Sequence, residues 1–115
     1  VSVNLVAQRR RTLIREFTFY DTGDELLTID AGDVIEVRIG RNGSPALIEI
    51  SSAGPTANGS TCQQNNPCVV VFHEDDVSEL HAGNYDLEIV LVDASRGGVE
   101  LEIERGVFSV LEAVQ

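Results

Sequence analysis

The chain has 115 residues, 43% of them hydrophobic, with 8 basic and 19 acidic side chains and a formal net charge of -11. That length predicts one domain around one core over 1–115 and leaves little for a second unit. The acidic balance argues against a nucleic-acid partner, which would need positive charge to neutralise phosphates, and the apolar runs are too short for a membrane span.

Every basic residue other than histidine is arginine, and lysine, methionine and tryptophan are absent. An acidic, lysine-free surface suits high-salt surroundings, where self-repulsion is screened. A GC-rich genome favouring arginine codons explains the missing lysine equally well.

In chain order, residues 1–7 alternate Val1, Val3, Leu5 and Ala7 with polar partners, the period of a half-buried strand. Arg9, Arg10 and Arg11 interrupt it. A second strand is predicted over 12–20, with Phe17 and Phe19 on one face and Thr18 and Tyr20 on the other. Residues 21–24 form a turn by composition, 26–29 a short strand and 30–33 the next turn. Over 34–41, Ile35, Val37 and Ile39 point inward, with Glu36 and Arg38 outward. Asn42-Gly43 is a hairpin signal, and 46–51 is the returning strand with Ile48 and Ile50 inward.

Segment 52–67 loses apolar periodicity and reads as a long exposed loop, a kind of segment that compact domains seldom keep without a use. A strand over 69–72 follows. Asp76 and Glu79 have capping-box spacing, which predicts one helical turn over 76–80 with Asp76 as its cap. Next comes Leu80-x-x-Gly83-x-Tyr85, after which Tyr85, Leu87, Ile89 and Leu91 alternate with Asp86, Glu88, Val90 and Val92. The strand over 85–92 should pair with 99–104 through a turn at 93–98, and 107–111 should close the sheet with Phe108 and Val110 inward. Turns spaced roughly 8–12 residues apart indicate a β-sandwich.

Few residues could carry chemistry. Cys62 and Cys68 lie in the polar segment; a disulfide between them is expected, with free thiols as the alternative and a metal site disfavoured by the spacing of His73 and His81. A bridge would imply an oxidising compartment. Glu74, Asp75 and Asp76 could meet calcium, but a cap with solvated neighbours accounts for them. Neither histidine has a partner in a nucleophile motif. Asn42-Gly43-Ser44 and Asn58-Gly59-Ser60 match the glycan acceptor pattern and read as turns. No catalytic residues, cofactor or metal are predicted.

Two surface features remain. Glu100, Glu102 and Glu104 face outward beside Asp86 and Glu88, either as a solvated face or as a docking face for arginines. Arg9, Arg10, Arg11 and Arg15 form a basic block that could meet this face in cis, in a neighbouring copy, or on an acidic partner. That block and segment 52–67 are the expected partner contacts.

The Leu80-x-x-Gly83-x-Tyr85 lead-in resembles the corner of immunoglobulin-like sandwiches, where a tyrosine hydroxyl bonds back to upstream backbone. Asp76, Leu80, Gly83 and Tyr85 are its structural residues. More widely, residues 75–78, 80–85, 86–92, 96–98 and Gly106-Val107-Phe108-Ser109-Val110 resemble a family of immunoglobulin-like domains of tailed-phage virions, including the N-terminal domain of baseplate upper proteins. About 40 residues carry the resemblance well; the cysteine segment departs from it. The resemblance implies an all-β immunoglobulin-like sandwich of about seven to eight antiparallel strands and a non-enzymatic virion protein. Its partners would be other virion proteins, such as major capsid or tail proteins, or further copies of itself. Capsid decoration is the first reading and a tail or baseplate module the second. The rival is a secreted or cell-surface adhesion domain binding protein or sugar.

Overall fold

The computed structural model describes residues 3–112; the predicted strand residue Val1 lies outside them. Among the described residues, eight strands form two sheets. The larger runs β1-β8-β7-β3-β4, from β1 (Val3–Gln8), β8 (Val99–Leu111), β7 (Gly83–Asp93), β3 (Val34–Gly40) and β4 (Ile48–Ser51). The smaller runs β2-β6-β5, from β2 (Leu13–Phe17), β6 (Cys68–Phe72) and β5 (Thr61–Cys62). One helix, α1 (Glu74–Ser78), leads from β6 toward β7.

Alternating apolar residues put their inward set between the sheets. Ile35, Val37 and Ile39 of β3, Leu87 and Ile89 of β7, Phe108 and Val110 of β8, and Val70 and Phe72 of β6 are all at most 1% exposed. Phe72 and Phe108 join the two layers, with ring centroids 5.1 Å apart. Burying each such side chain contributes about 1.5–3 kcal/mol, so the two sheets are held chiefly by this shared interior.

The all-β, two-sheet architecture agrees with the sequence expectation, but several details differ. The strands are not all antiparallel: β1 runs parallel to β8, pairing Val3 with Gly106 and Gln8 with Leu111. Gly106 permits the approach, because a Cβ there would overlap the Val3 carbonyl. The expected break at 105–106 does not occur, and β8 is one strand with a bulge at Ile103, opposite the step from Ile89 to Val90; the bulge reverses the alternation, so Glu104, expected outward with Glu100 and Glu102, instead lies opposite inward Ile89. The predicted strand over 26–29 reduces to a single bridge between Tyr20 and Leu26, since Asp21, Thr22 and Gly23 turn the chain too soon for a ladder. The hairpin after β3 is wider than two residues; its backbone closes through Ser44 to Arg41 and Leu47 to Ile39.

The helical turn starts earlier than its capping-box spacing implies. His73 is the N-cap, its Nδ1 accepting from the Asp75 N–H, and Asp76 lies inside the helix and buried. Segment 52–67 is no free loop either. It contains β5, and its side chains tie distant parts of the chain. The Asn66 side chain accepts from the Phe19 N–H and donates to the Phe19 and Leu27 carbonyls, and Gln64 donates to the carbonyls of Asp30 and Asp33.

Candidate interaction surfaces

The corner is assembled from α1 and the start of β7. Leu80 is buried, Gly83 takes a φ of 149° where side chains rarely fit, and Tyr85 is 4% exposed. The Tyr85 hydroxyl donates to the His81 carbonyl at 2.7 Å, and the Arg41 guanidinium lies 4.7 Å from the ring centroid. Asp76 binds the corner to segment 52–67. Its carboxylate accepts from Thr56 Oγ1 at 2.7 Å, from Asn58 Nδ2 at 2.9 Å and from the Ser60 hydroxyl. Ser60, fully buried, also accepts from the His73 N–H at 2.8 Å. Burial opposes ionisation of Asp76, but the hydrogen bonds from Ser60, Thr56 and Asn58 outweigh it and hold the carboxyl below its ordinary range. Asn58 is thereby engaged as a structural donor, and Gly59 beside it has a φ of 99°, as a turn requires.

Cys62 and Cys68 are buried free thiols with their sulfurs 3.5 Å apart. The two residues lie side by side on β5 and β6. The hydrogen bond with Cys68, and then burial, push the Cys62 thiol up, whereas the same bond lowers Cys68. The Cys68 thiol also donates to the Gln63 carbonyl at 3.1 Å.

The arginine block divides. Arg9 is a strap: it donates to the Ser78 carbonyl at 2.8 Å and to Glu112 at 3.1 Å, joining the end of β1 to α1 and the chain beyond β8. Its Nε is buried without a partner among the described residues. Arg10 has a φ of 68° and anchors by backbone, its N–H reaching Ser78 Oγ at 3.1 Å. Arg11 and Arg15 are exposed; among the described residues Arg15 reaches only the Ile14 carbonyl.

The acidic face does not wait for these arginines. On the outer side of the larger sheet, Arg38 of β3 meets Glu36 at 2.7 Å, Glu100 at 2.8 Å, Glu88 at 3.5 Å and Glu49 at 3.9 Å. Arg38 is in register with Glu88, and Glu100 with Val92, so the guanidinium reaches diagonally across β7 past Val90. This accounts for Val90 being 2% exposed on the outward side. The hydrogen bond with Glu100 leads in raising the Arg38 pKa, against desolvation, and the same bond lowers Glu100. Glu49 is raised by burial and by its neighbour Glu36. Arg105 holds Glu102 through two bonds, at 2.7 and 2.9 Å. Sequence reasoning placed Arg38 outward but missed its partners and Arg105, because cross-strand register is not written in any one strand.

Beside this network lies a concavity of about 620 Å³ bounded by Arg38, Arg41, Asn42, Asp86, Glu88 and Arg105. Among the described residues, no group of three or more His, Cys, Asp or Glu side chains is placed to hold a metal ion, and no helix is long and apolar enough to cross a membrane. No protein-family model matches the chain, and no curated protein matches it significantly in sequence.

Proposed function

We propose that this chain is an immunoglobulin-like docking module of a tailed-virus particle, a capsid-decorating protein that binds other virion proteins and performs no catalysis. The fold part of the reading draws on strand order. The three neighbours β8-β7-β3 and the sheet β2-β6-β5 correspond to the G-F-C and B-E-D strands of an immunoglobulin sandwich. The hydroxyl of Tyr85 bonds back to the chain as in the tyrosine corner of such domains.

One observation carries the virion part. The two motifs that resemble the virion family, Leu80-x-x-Gly83-x-Tyr85 leading into β7 and Gly106-Val107-Phe108-Ser109-Val110 on β8, meet across paired strands, with Tyr85 opposite Phe108 and Leu87 opposite Gly106. They form one packed unit, as expected if the whole pattern was inherited together. The charged side chains favour binding over chemistry, since Asp76 and Arg38 are both committed to structural partners.

The test is direct. Virus particles from the source of the gene are purified on a density gradient, heads are separated from tails, and each fraction is analysed by mass spectrometry. The chain is expected with the heads, in fixed ratio to the major capsid protein. Recovery with the tails moves it to the tail or baseplate; recovery only from the cell surface or medium overturns the virion reading in favour of an adhesion domain.

A further inference from the structure

The tripeptide Asn-Gly-Ser stands at 42–44 and again at 58–60, and the fold treats the two copies differently. Asparagine is among the thermolabile residues. Its side-chain carbonyl carbon can be attacked by the backbone nitrogen of the next residue, most readily when that residue is glycine and no Cβ hinders the approach. The attack needs two freedoms. The glycine N–H must be free to give up its proton, and the asparagine amide must be free to swing onto that nitrogen.

Asn58 has neither. Its Nδ2 donates to Asp76 Oδ1 at 2.9 Å and to Glu79 Oε1 at 3.0 Å. The Gly59 N–H donates to the Thr56 carbonyl at 3.0 Å, and the His73 ring lies close to Gly59. Attack also builds negative charge on the amide oxygen, which the carboxylates of Asp76 and Glu79 oppose. Asn42 has both freedoms. It is exposed in the hairpin between β3 and β4, and among the described residues neither its side chain nor the Gly43 N–H makes a hydrogen bond. Beyond the chain neighbours, nothing lies within 4 Å of the place a Cβ on Gly43 would take.

We propose that Asn42 is a deamidation site of the folded protein, and that Asp76, Glu79 and Thr56 keep Asn58 intact. The Gly43 nitrogen loses its proton to solvent base and bonds to Asn42 Cγ. The Cγ–Nδ2 bond breaks, Nδ2 takes up a proton, and ammonia leaves. Water then opens the cyclic imide, at the side-chain carbonyl to give aspartate or at the backbone carbonyl to give isoaspartate. Water has replaced ammonia, and nothing is oxidised or reduced. Either product sets a carboxylate on the rim of the concavity of about 620 Å³ that Asn42 lines together with Arg38 and Arg41. Isoaspartate also routes the backbone through an extra methylene, in a hairpin closed by the bonds from Ser44 to Arg41 and from Leu47 to Ile39. The outer face of the larger sheet thus changes charge and shape at one corner as the protein ages, whether or not the chain belongs to a virus particle.

The whole chain is incubated at mildly alkaline pH, folded in one sample and unfolded in concentrated urea in another. Peptide mapping by mass spectrometry follows conversion of amide to acid at both sites. Isoaspartate is read separately, by methyl transfer from labelled S-adenosylmethionine with an isoaspartyl methyltransferase. In urea the two identical tripeptides should convert at similar rates. In the folded chain Asn42 should convert at least about tenfold faster than Asn58, because hydrogen bonds must be given up at Asn58 before attack. Glu79 is exposed, so Glu79→Ala removes one acceptor of Asn58 at the surface. Under native conditions this variant should convert Asn58 roughly threefold faster and leave the rate at Asn42 unchanged. Equal rates at the two sites of the folded chain, faster loss at Asn58, or no conversion of Asn42 until the chain is unfolded overturns the proposal. So does an Asn58 rate that Glu79→Ala leaves unchanged. The folded-state difference persisting in urea also overturns it, since the flanking sequence rather than the fold would then set the rates.

Discussion

Two polar regions of this domain are built in opposite ways. Around Asp76, a carboxylate in a residue 5% exposed is enclosed by neutral donors from segment 52–67. On the outer sheet face, the Arg38 side chain keeps 27% of its exposure and meets four carboxylates. The first cluster is short-ranged and dry, so its worth depends on every donor finding its acceptor. The second is a set of charges in contact with water, so its worth depends on ionic strength. One holds a long irregular segment in place; the other covers Val90 and patterns a surface.

The largest effect is expected at the first region. Asp76→Ala strands the Thr56 and Ser60 hydroxyls and removes one of two acceptors of Asn58. The cost should be about 3 kcal/mol, since buried polar groups left unpaired lose about 1–3 kcal/mol each. Urea denaturation measures it, and a loss under about 0.5 kcal/mol would mean that segment 52–67 is not held by Asp76. The pH dependence has a definite sign. The Asp76 pKa is depressed in the folded state, so its contribution is complete above the unfolded value of about 3.9 and is lost as pH falls through the folded value. Below about pH 4, wild type should therefore lose stability more steeply than Asp76→Ala.

The same region carries the next effect. With their sulfurs 3.5 Å apart, Cys62 and Cys68 should close to a disulfide when treated with oxidised glutathione, the pair losing two hydrogens as the glutathione disulfide is reduced to two thiols. A ring this small is worth roughly 2 kcal/mol by loop entropy. Intact mass before and after reduction reads the bridge, and melting temperature reads its worth. Thiols that remain fully alkylatable after oxidant treatment of the folded protein would show that the segment is too firmly held to bring the sulfurs together.

A smaller and salt-dependent effect belongs to the second region. Arg38→Met leaves Glu36, Glu49, Glu88 and Glu100 facing one another and uncovers Val90 only in part, because the Met chain still lies over it. About 1 kcal/mol should be lost at low ionic strength and most of it recovered in molar salt. A loss of the same size at both salt concentrations would place this network with Asp76 as a packing feature and erase the contrast between the regions.

Why one region was more legible than the other follows from range. The inward sets of β3, β7 and β8 could be read from alternation alone, and Tyr85 from its neighbours at Leu80 and Gly83, because these signals lie within a few residues. Asp76 carried a misleading local signal: its spacing to Glu79 imitates a capping box, whereas its partners Thr56, Asn58 and Ser60 lie on another segment. Segment 52–67 read as an exposed contact loop because its ties to the rest of the chain are single side-chain bonds to backbone, as at Asn66 and Gln64, which leave no periodic trace. The parallel pairing of β1 with β8 joins the two ends of the chain, and only Gly106, without a Cβ to block Val3, hinted at it.

The smallest expected effect on stability bears most on attachment. The arginines at 9–11 look alike in sequence, but the fold uses them differently. Arg9 is bonded to Ser78 and Glu112, so Arg9→Ala removes a strap between three parts of the chain and should cost about 1–2 kcal/mol. Arg10 holds Ser78 through its backbone, which alanine retains, and Arg11 is exposed. The double variant Arg10→Ala, Arg11→Ala should therefore change stability by no more than about 0.5 kcal/mol. If these two side chains contact a partner, that variant should bind purified particles more weakly while its urea midpoint stays fixed, and added salt should weaken the wild type in the same direction. Unchanged binding by the double variant would remove Arg10 and Arg11 from the proposed attachment surface and turn the search to the acidic outer face around Arg38.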